Sequence, residues 1–212
     1  MNINKSPLKR LSKDTKAVQS SHKMDFPIKV LQIGEGNFLR GFFDWMIHEC
    51  NKQGHFKGSI AVTQPRRAGK GKIEEVKRQD GLYTLMLRGF HQGKKVEHTE
   101  IISIFSKVID PYEEWMEFLA LSENPELEFV VSNTTEAGLK YQPIPLEEGK
   151  PMESFPGKLT AFLYNRYLHF NGDAKKGLIM LPCELLERNG DSLKQYVLKH
   201  SRDWDLPKPF ME

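Results

Sequence analysis

The chain has 212 residues, 39% of them hydrophobic, which is enough for a real core in one large domain or one and a half small ones and excludes a disordered chain. With 31 basic against 28 acidic residues the net charge is +3, too balanced to argue for nucleic acid, and no apolar run reaches the roughly 18 residues that cross a membrane. The two cysteines, Cys50 and Cys183, stand in no CxxC or Cys/His spacing, which argues against a disulfide framework or a zinc site and fits a reducing, cytoplasmic setting.

Residues 1–25 carry Lys5, Lys9, Arg10, Lys13, Lys16 and Lys23 against Asp14 and Asp25, and read as a basic flexible arm. No apolar core follows the charges, so this is no secretory signal; a mitochondrial-type presequence is the alternative. The globular part is expected over residues 26–212. Ile28–Ile33 reads as a buried strand ended by glycine, and Asn37 to about Cys50 as a helix with Phe38, Phe42, Trp45 and Met46 near helical spacing. Ser59–Thr63 is a second strand, and the polar run after it is part loop, part helix.

Leu82–Arg88 and Glu100–Val108 read as further strands, with a turn at His91–Lys95 between them. Pro111 is placed to open a helix. Glu128–Ser132 is a short buried strand, a helix follows Gly157, Gly177–Leu181 is a strand and Asp191–His200 a helix. Strands and helices alternate at both ends of the chain, which predicts an α/β fold with a doubly wound, mostly parallel sheet. The strand-rich middle, about residues 82–108, predicts a mixed or antiparallel extension of it.

The first turn, "IGEGNFLRG", meets two needs of a dinucleotide site: a sharp bend, and a backbone that nears a pyrophosphate with no Cβ in the way. Gly34 and Gly36 supply the first two glycines of GxGxxG, and the N–H groups of Asn37 and Phe38 then face the anion. Leu39 holds the third glycine's place and Gly41 comes two residues late, so a plain strand-to-helix corner reads as well. The second strand lacks the acid that would hold a ribose diol and ends "TQPRR". Gln64 can hydrogen-bond a hydroxyl, while Arg66 or Arg67 suits a 2′-phosphate and NADP; two solvated arginines are the plainer reading.

The stretches "IGEGNFLRGF", "QDGLYTLMLRG", "SNTTEAGL", "FPGKLTAFLYNRY" and "LPCELLERNGDSLKQYVL" resemble, in this order, the mannitol dehydrogenase family, the polyol-specific long-chain dehydrogenases/reductases. The resemblance runs from about Lys29 to Leu198. It implies an N-terminal Rossmann-type domain followed by a mostly helical one, and hydride transfer between NAD(H) and a sugar-derived alcohol or ketone, without a metal. In the branch it resembles most, the pair is D-altronate and D-tagaturonate, on the hexuronate (galacturonate) route. Mannonate (fructuronate) or mannitol oxidation is the alternative within the family, and a non-catalytic nucleotide-binding module the alternative outside it.

The resemblance also implies a general acid/base lysine in a K-x-x-x-x-N-x-x-H motif of the second domain. No lysine here has that spacing, so the 212 residues are expected to be the N-terminal part of a longer enzyme. It puts the turn carrying Thr135 and Glu136 near the cofactor, Glu136 toward the nicotinamide; a helix N-cap with Glu136 in the first turn reads equally well. It brings Asn189 beside the reactive carbon, where an amide would hold developing charge on the substrate oxygen. The plainer reading is an Asn-Gly turn with Asp191 capping a helix. Trp45, Trp115 and Phe118 are expected in the core. Lys158 and Arg166 are expected on a solvated helix face, with a substrate carboxylate as the alternative, and the seven histidines show no metal-binding spacing.

Overall fold

In the computed structural model, which describes residues 25–212, the first apolar run forms β1, Ile28–Ile33. The basic arm, Asp25 aside, and the presequence alternative lie outside the described residues. β1 leads into α1, Asn37–Gly41, and α2, Phe43–Lys52. The single helix expected here is broken at Phe42, whose φ and ψ of −122° and −74° leave the helical region. The break follows Gly41, the residue of lowest helical preference in the run, and lets the Phe38 and Phe42 rings stack at 5.3 Å.

β2, Ser59–Thr63, is followed by a 3₁₀ turn, Arg67–Gly69, and by α3, Lys70–Arg78. The strand-rich middle is β3, Tyr83–His91, and β4, Lys94–Ile102, an antiparallel hairpin that pairs only with itself. The run expected as one strand, Glu100–Val108, divides after Ile102. Its second half becomes β5, Phe105–Ile109, which pairs parallel with β2.

The helix expected at Pro111 begins only at Trp115, as α4, Trp115–Ala120. Asp110 intervenes: its Oδ1 accepts from the Tyr112 N–H at 2.9 Å and closes a turn over Pro111. β6, Phe129–Ser132, then leads by a long loop to α5, Phe155–His169. α5 starts two residues before Gly157 because Ser154 caps it, accepting from the Gly157 N–H at 3.1 Å, with Pro156 in the first turn. β7, Ile179–Pro182, α6, Asn189–Asp203, and α7, Lys208–Met211, complete the order.

The five parallel strands run β5-β2-β1-β6-β7. Side chains alternate across each strand, so Leu31, Ile33, Ala61 and Val130 pack with Trp115, Phe118, Phe155, Leu159 and Leu193 of α4, α5 and α6. Val30, Ile60, Val62 and Val131 face the other way, onto Leu39, Val76 and the root of the hairpin at Tyr83 and Ile102, with Trp45 partly buried beside them. Helices thus cover both faces of the sheet, and its carboxyl edge is left open.

Lys158 and Arg166 are not on a solvated face; their exposures are 1% and 4%. Each is solvated by backbone carbonyls instead. Arg166 donates to Ser122, Asn124, Leu127 and Lys176, tying α5 to the segments entering β6 and β7. Among the described residues, no helix is long and apolar enough to cross a membrane.

Candidate functional site

At the carboxyl edge of the sheet lies a cleft of about 440 Å³, walled by Gly34 and Gly36 after β1, Pro65 and Arg66 after β2, and Thr135 and Glu136 after β6. The chain winds outward from β1 through β2 to β5, then returns to β6 on the other side of β1. β1 and β6 are therefore the neighbours at which the winding reverses, where open α/β sheets leave a crevice for a ligand.

The two glycines do different things. The Gly34 N–H donates to the Thr63 carbonyl at 2.8 Å, and the Asn133 N–H to the Ile33 carbonyl at 3.1 Å, drawing the three strand ends together. A Cβ on Gly34, whose φ is +132°, would stand 2.6 Å from the Asn133 carbonyl oxygen. Glycine here is required by the fold itself. Gly36 has φ −72° and ψ 164°, open to any residue, and no heavy atom lies within 4 Å of a Cβ built on it. The free space beside it belongs to the cleft, and is what a backbone needs in order to let a phosphate approach.

Asn37 and Phe38 open α1 with their side chains turned outward. Asn37 Oδ1 accepts from Arg40 Nη2 at 2.8 Å, and the Phe38 ring packs on Phe42. What they can offer an anion is backbone N–H at a helix start, where such groups lack helical acceptors. Gln64 does not line the cleft: it is fully buried, and its Nε2 donates to Asp110 Oδ1 at 2.9 Å. Arg66 lines the cleft, whereas Arg67 lies over the Tyr112 ring at 4.4 Å and pairs with Glu153.

Behind that wall, Lys158 Nζ donates to the Pro65 carbonyl at 3.0 Å, the Tyr112 hydroxyl at 2.6 Å and the Glu153 carbonyl at 3.2 Å. Burial pushes its ammonium down to about 7. In front of the wall stands Glu35, between the two glycines and beside Arg66 and Lys72. Burial raises its carboxyl above the usual carboxylate range, against its own backbone N–H and the pull of Lys72, Arg40 and Arg66. Lys158, expected on a solvated helix face, is buried instead, and Glu35 was not singled out from the sequence. A glutamate inside a glycine turn and a lysine in a helix carry no local sign of burial.

On the β6 side, Thr135 and Glu136 are exposed on a turn closed by the Gly138 N–H on the Thr135 carbonyl at 2.7 Å. No regular helix follows, so the N-cap alternative does not apply. The Thr134 N–H donates to Glu184 Oε1 at 3.3 Å, and Glu184 Oε2 accepts from Asn189 Nδ2 at 3.3 Å. Asn189 Nδ2 also donates to the Pro182 carbonyl at 3.0 Å. Asn189 and Gly190 begin α6 instead of forming a turn. Asp191, expected as its cap, lies in the first turn and pairs with Arg188. Asn189 thus stands just behind the cleft, joined to the β6 turn through buried Glu184, while the exposed Leu185 forms the rim.

One group of possible metal ligands lies elsewhere among the described residues: His48, Glu49 and Glu100. The Lys52 ammonium already bridges both of its carboxylates at 2.7 Å.

A doubly wound parallel sheet, with a glycine turn and an open cleft at the reversal of its winding, defines a Rossmann-type domain. A family profile described as the mannitol dehydrogenase Rossmann domain matches residues 28–209, and the chain belongs to that family. It is 46% identical over 191 residues to an altronate oxidoreductase of Bacillus subtilis (strain 168), covering 90% of this chain and 39% of the relative. It is 41% identical to an altronate oxidoreductase of Bacteroides thetaiotaomicron, covering 96% of this chain and 41% of the relative. The chain thus spans about two fifths of the length of these relatives. The structure of Pseudomonas fluorescens mannitol 2-dehydrogenase, a ternary complex with NAD and D-mannitol, superposes with a TM-score of 0.67 at 18% identity, over 84% of this chain and 38% of that one.

Proposed function

We propose that the cleft binds NAD(H), and that the domain serves a longer oxidoreductase acting on a sugar-acid alcohol/ketone pair, D-altronate and D-tagaturonate. The observation that carries the reading is Gly36, a glycine with ordinary dihedrals whose missing Cβ leaves open space in the cleft. The sugar-acid assignment, over mannonate or mannitol, rests on the altronate oxidoreductases at 46% and 41% identity.

In this reading the pyrophosphate lies over Gly34 and Gly36 against the first N–H groups of α1, and the nicotinamide end lies toward Thr135 and Glu136. Bound there, the cofactor would supply or accept the hydride. Asn189 faces the substrate oxygen; its Nδ2 would exchange the bond to Glu184 Oε2 for that contact. The proton-moving lysine implied by the family resemblance has no counterpart in these 212 residues, and is sought in the remaining length that the relatives possess.

The reading favours NAD(H) over NADP(H), because of the two arginines after β2 Arg67 is engaged by Tyr112 and Glu153 and Arg66 alone faces the cleft. Fluorescence titration of this chain with NADH and NADPH tests it. Saturable NADH binding without turnover of altronate is expected. Binding of neither nucleotide, or turnover by this chain alone, would overturn it.

A further inference from the structure

We infer that Glu35 selects the cofactor's adenosine ribose, taking over from the glycine turn the part that an acid at the end of the second strand plays in an ordinary dinucleotide fold. This rests on the NAD(H) reading above and extends it to specificity. The end of β2 offers no carboxylate, since "TQPRR" follows Val62, and the one candidate there, Gln64, is turned into the core onto Asp110.

Glu35 reaches the same place from β1. A Cβ on Gly69, in the segment after β2, would stand 3.0 Å from Glu35 Oε1 and 3.1 Å from Gln64 Cβ. The carboxylate therefore lies against the β2 end, on the cleft side. Glu35 is 7% exposed yet borders the cleft. Among the described residues no ion pair or side-chain hydrogen bond engages it; its own backbone N–H is its one hydrogen-bond donor, and Lys72, Arg40 and Arg66 act on it only through their charge. A carboxylate taken out of water with acceptor capacity to spare gains most from donors that arrive with a ligand. A ribose cis-diol brings two hydroxyls at a fixed spacing.

The same placement works against a 2′-phosphate, which would bring a second anion against a buried one. Arg66 and Lys72 flank Glu35 at the cleft. With Glu35 present, those cations are partly offset; without it, they are left to receive the phosphate. Glu35 would thus set the sign of the NAD/NADP preference.

The test is equilibrium titration of the 212-residue chain and its Glu35→Gln and Glu35→Ala variants, each checked for fold by circular dichroism. NADH, NADPH and 2′-deoxy-NADH (lacking one ribose hydroxyl) are the probes. Wild type should hold NADH about tenfold or more tighter than the deoxy analogue, a contrast that needs no variant. Glu35→Ala should bind those two alike, and either variant should lose NADH affinity while gaining NADPH affinity. Adding Arg66→Ala to Glu35→Gln should remove the NADPH gain. Wild-type NADH binding with no penalty for the deoxy analogue, or an unchanged NADH/NADPH ratio in folded variants, overturns this inference alone. A wild type that takes neither nucleotide overturns the NAD(H) reading and this inference with it.

Discussion

Lys158 Nζ donates to the carbonyl of Pro65 at 3.0 Å, so a buried ammonium on α5 holds the cleft wall that follows β2. The same ammonium meets the Tyr112 hydroxyl at 2.6 Å and the Met152 and Glu153 carbonyls at 3.3 and 3.2 Å. Lys158→Met keeps the stem and removes every donor. Each buried acceptor left unpaired costs about 1–3 kcal/mol, offset in part because a lysine no longer has to be buried. A net loss of about 1–3 kcal/mol in urea unfolding is expected. Unchanged or increased stability would show that the ammonium is not what holds the wall.

Gly34 and Gly41 should respond in opposite directions to alanine. At Gly34 the new Cβ meets the Asn133 carbonyl at 2.6 Å with φ at +132°, so strain of about 1–3 kcal/mol is expected to appear as a lower unfolding midpoint. At Gly41 the nearest atom is Leu85 Cδ1 at 3.9 Å, and alanine is the better helix former by up to about 1 kcal/mol. Equal destabilisation by the two substitutions would contradict the distinction between a fold glycine and a replaceable one.

Asp44 makes stability depend on pH. Fully buried beneath the glycine turn, its carboxyl is pushed up by burial to about 8, against weak bonds from Gln32 and Tyr83. Unfolded, it titrates near 3.8. Between those values the folded chain holds the extra proton, so this group's contribution falls as pH rises, by at most about 1.4 kcal/mol per unit. Buried Glu35 acts in the same direction, so the informative quantity is the difference between Asp44→Asn and wild type. That difference should grow in the variant's favour from pH 5 to pH 7 in urea melts. A difference that stays flat would show that Asp44 is already charged in the folded chain.

Much of the sheet was legible in the residues. Val, Ile and Leu runs ended by glycine or polar turns marked β1, β2 and β6 within a residue, because a strand buried on both faces needs such a run. The division between β4 and β5 was not legible, since apolar residues continue on both sides of the two-residue break at Ser103 and Ile104. In the cleft, Gly34, Gly36, Thr135 and Glu136 could be named because turns and strand ends carry local signs. The burial of Lys158, Arg166 and Glu35 was not legible. Their burial depends on carbonyls or clefts supplied by distant segments, such as Pro65 for Lys158 and Ser122 for Arg166, and a charged residue at helical spacing otherwise reads as solvated. Asn189 was proposed through family resemblance alone; its own dipeptide pointed to a turn.

Gly36 carries the proposed NAD(H) site. Titration of NADH into the 212-residue chain and into Gly36→Val, followed by nucleotide fluorescence with circular dichroism as the control for fold, tests it most directly. A Cβ at Gly36 meets no atom beyond its chain neighbours within 4 Å, so the variant should fold as the wild type does, while its branched side chain should fill the open space proposed for the phosphates. Wild-type binding that is abolished in a folded Gly36→Val is the expected result. NADH affinity unchanged by the substitution, with the fold intact, would mean that the turn is only a corner between strand and helix.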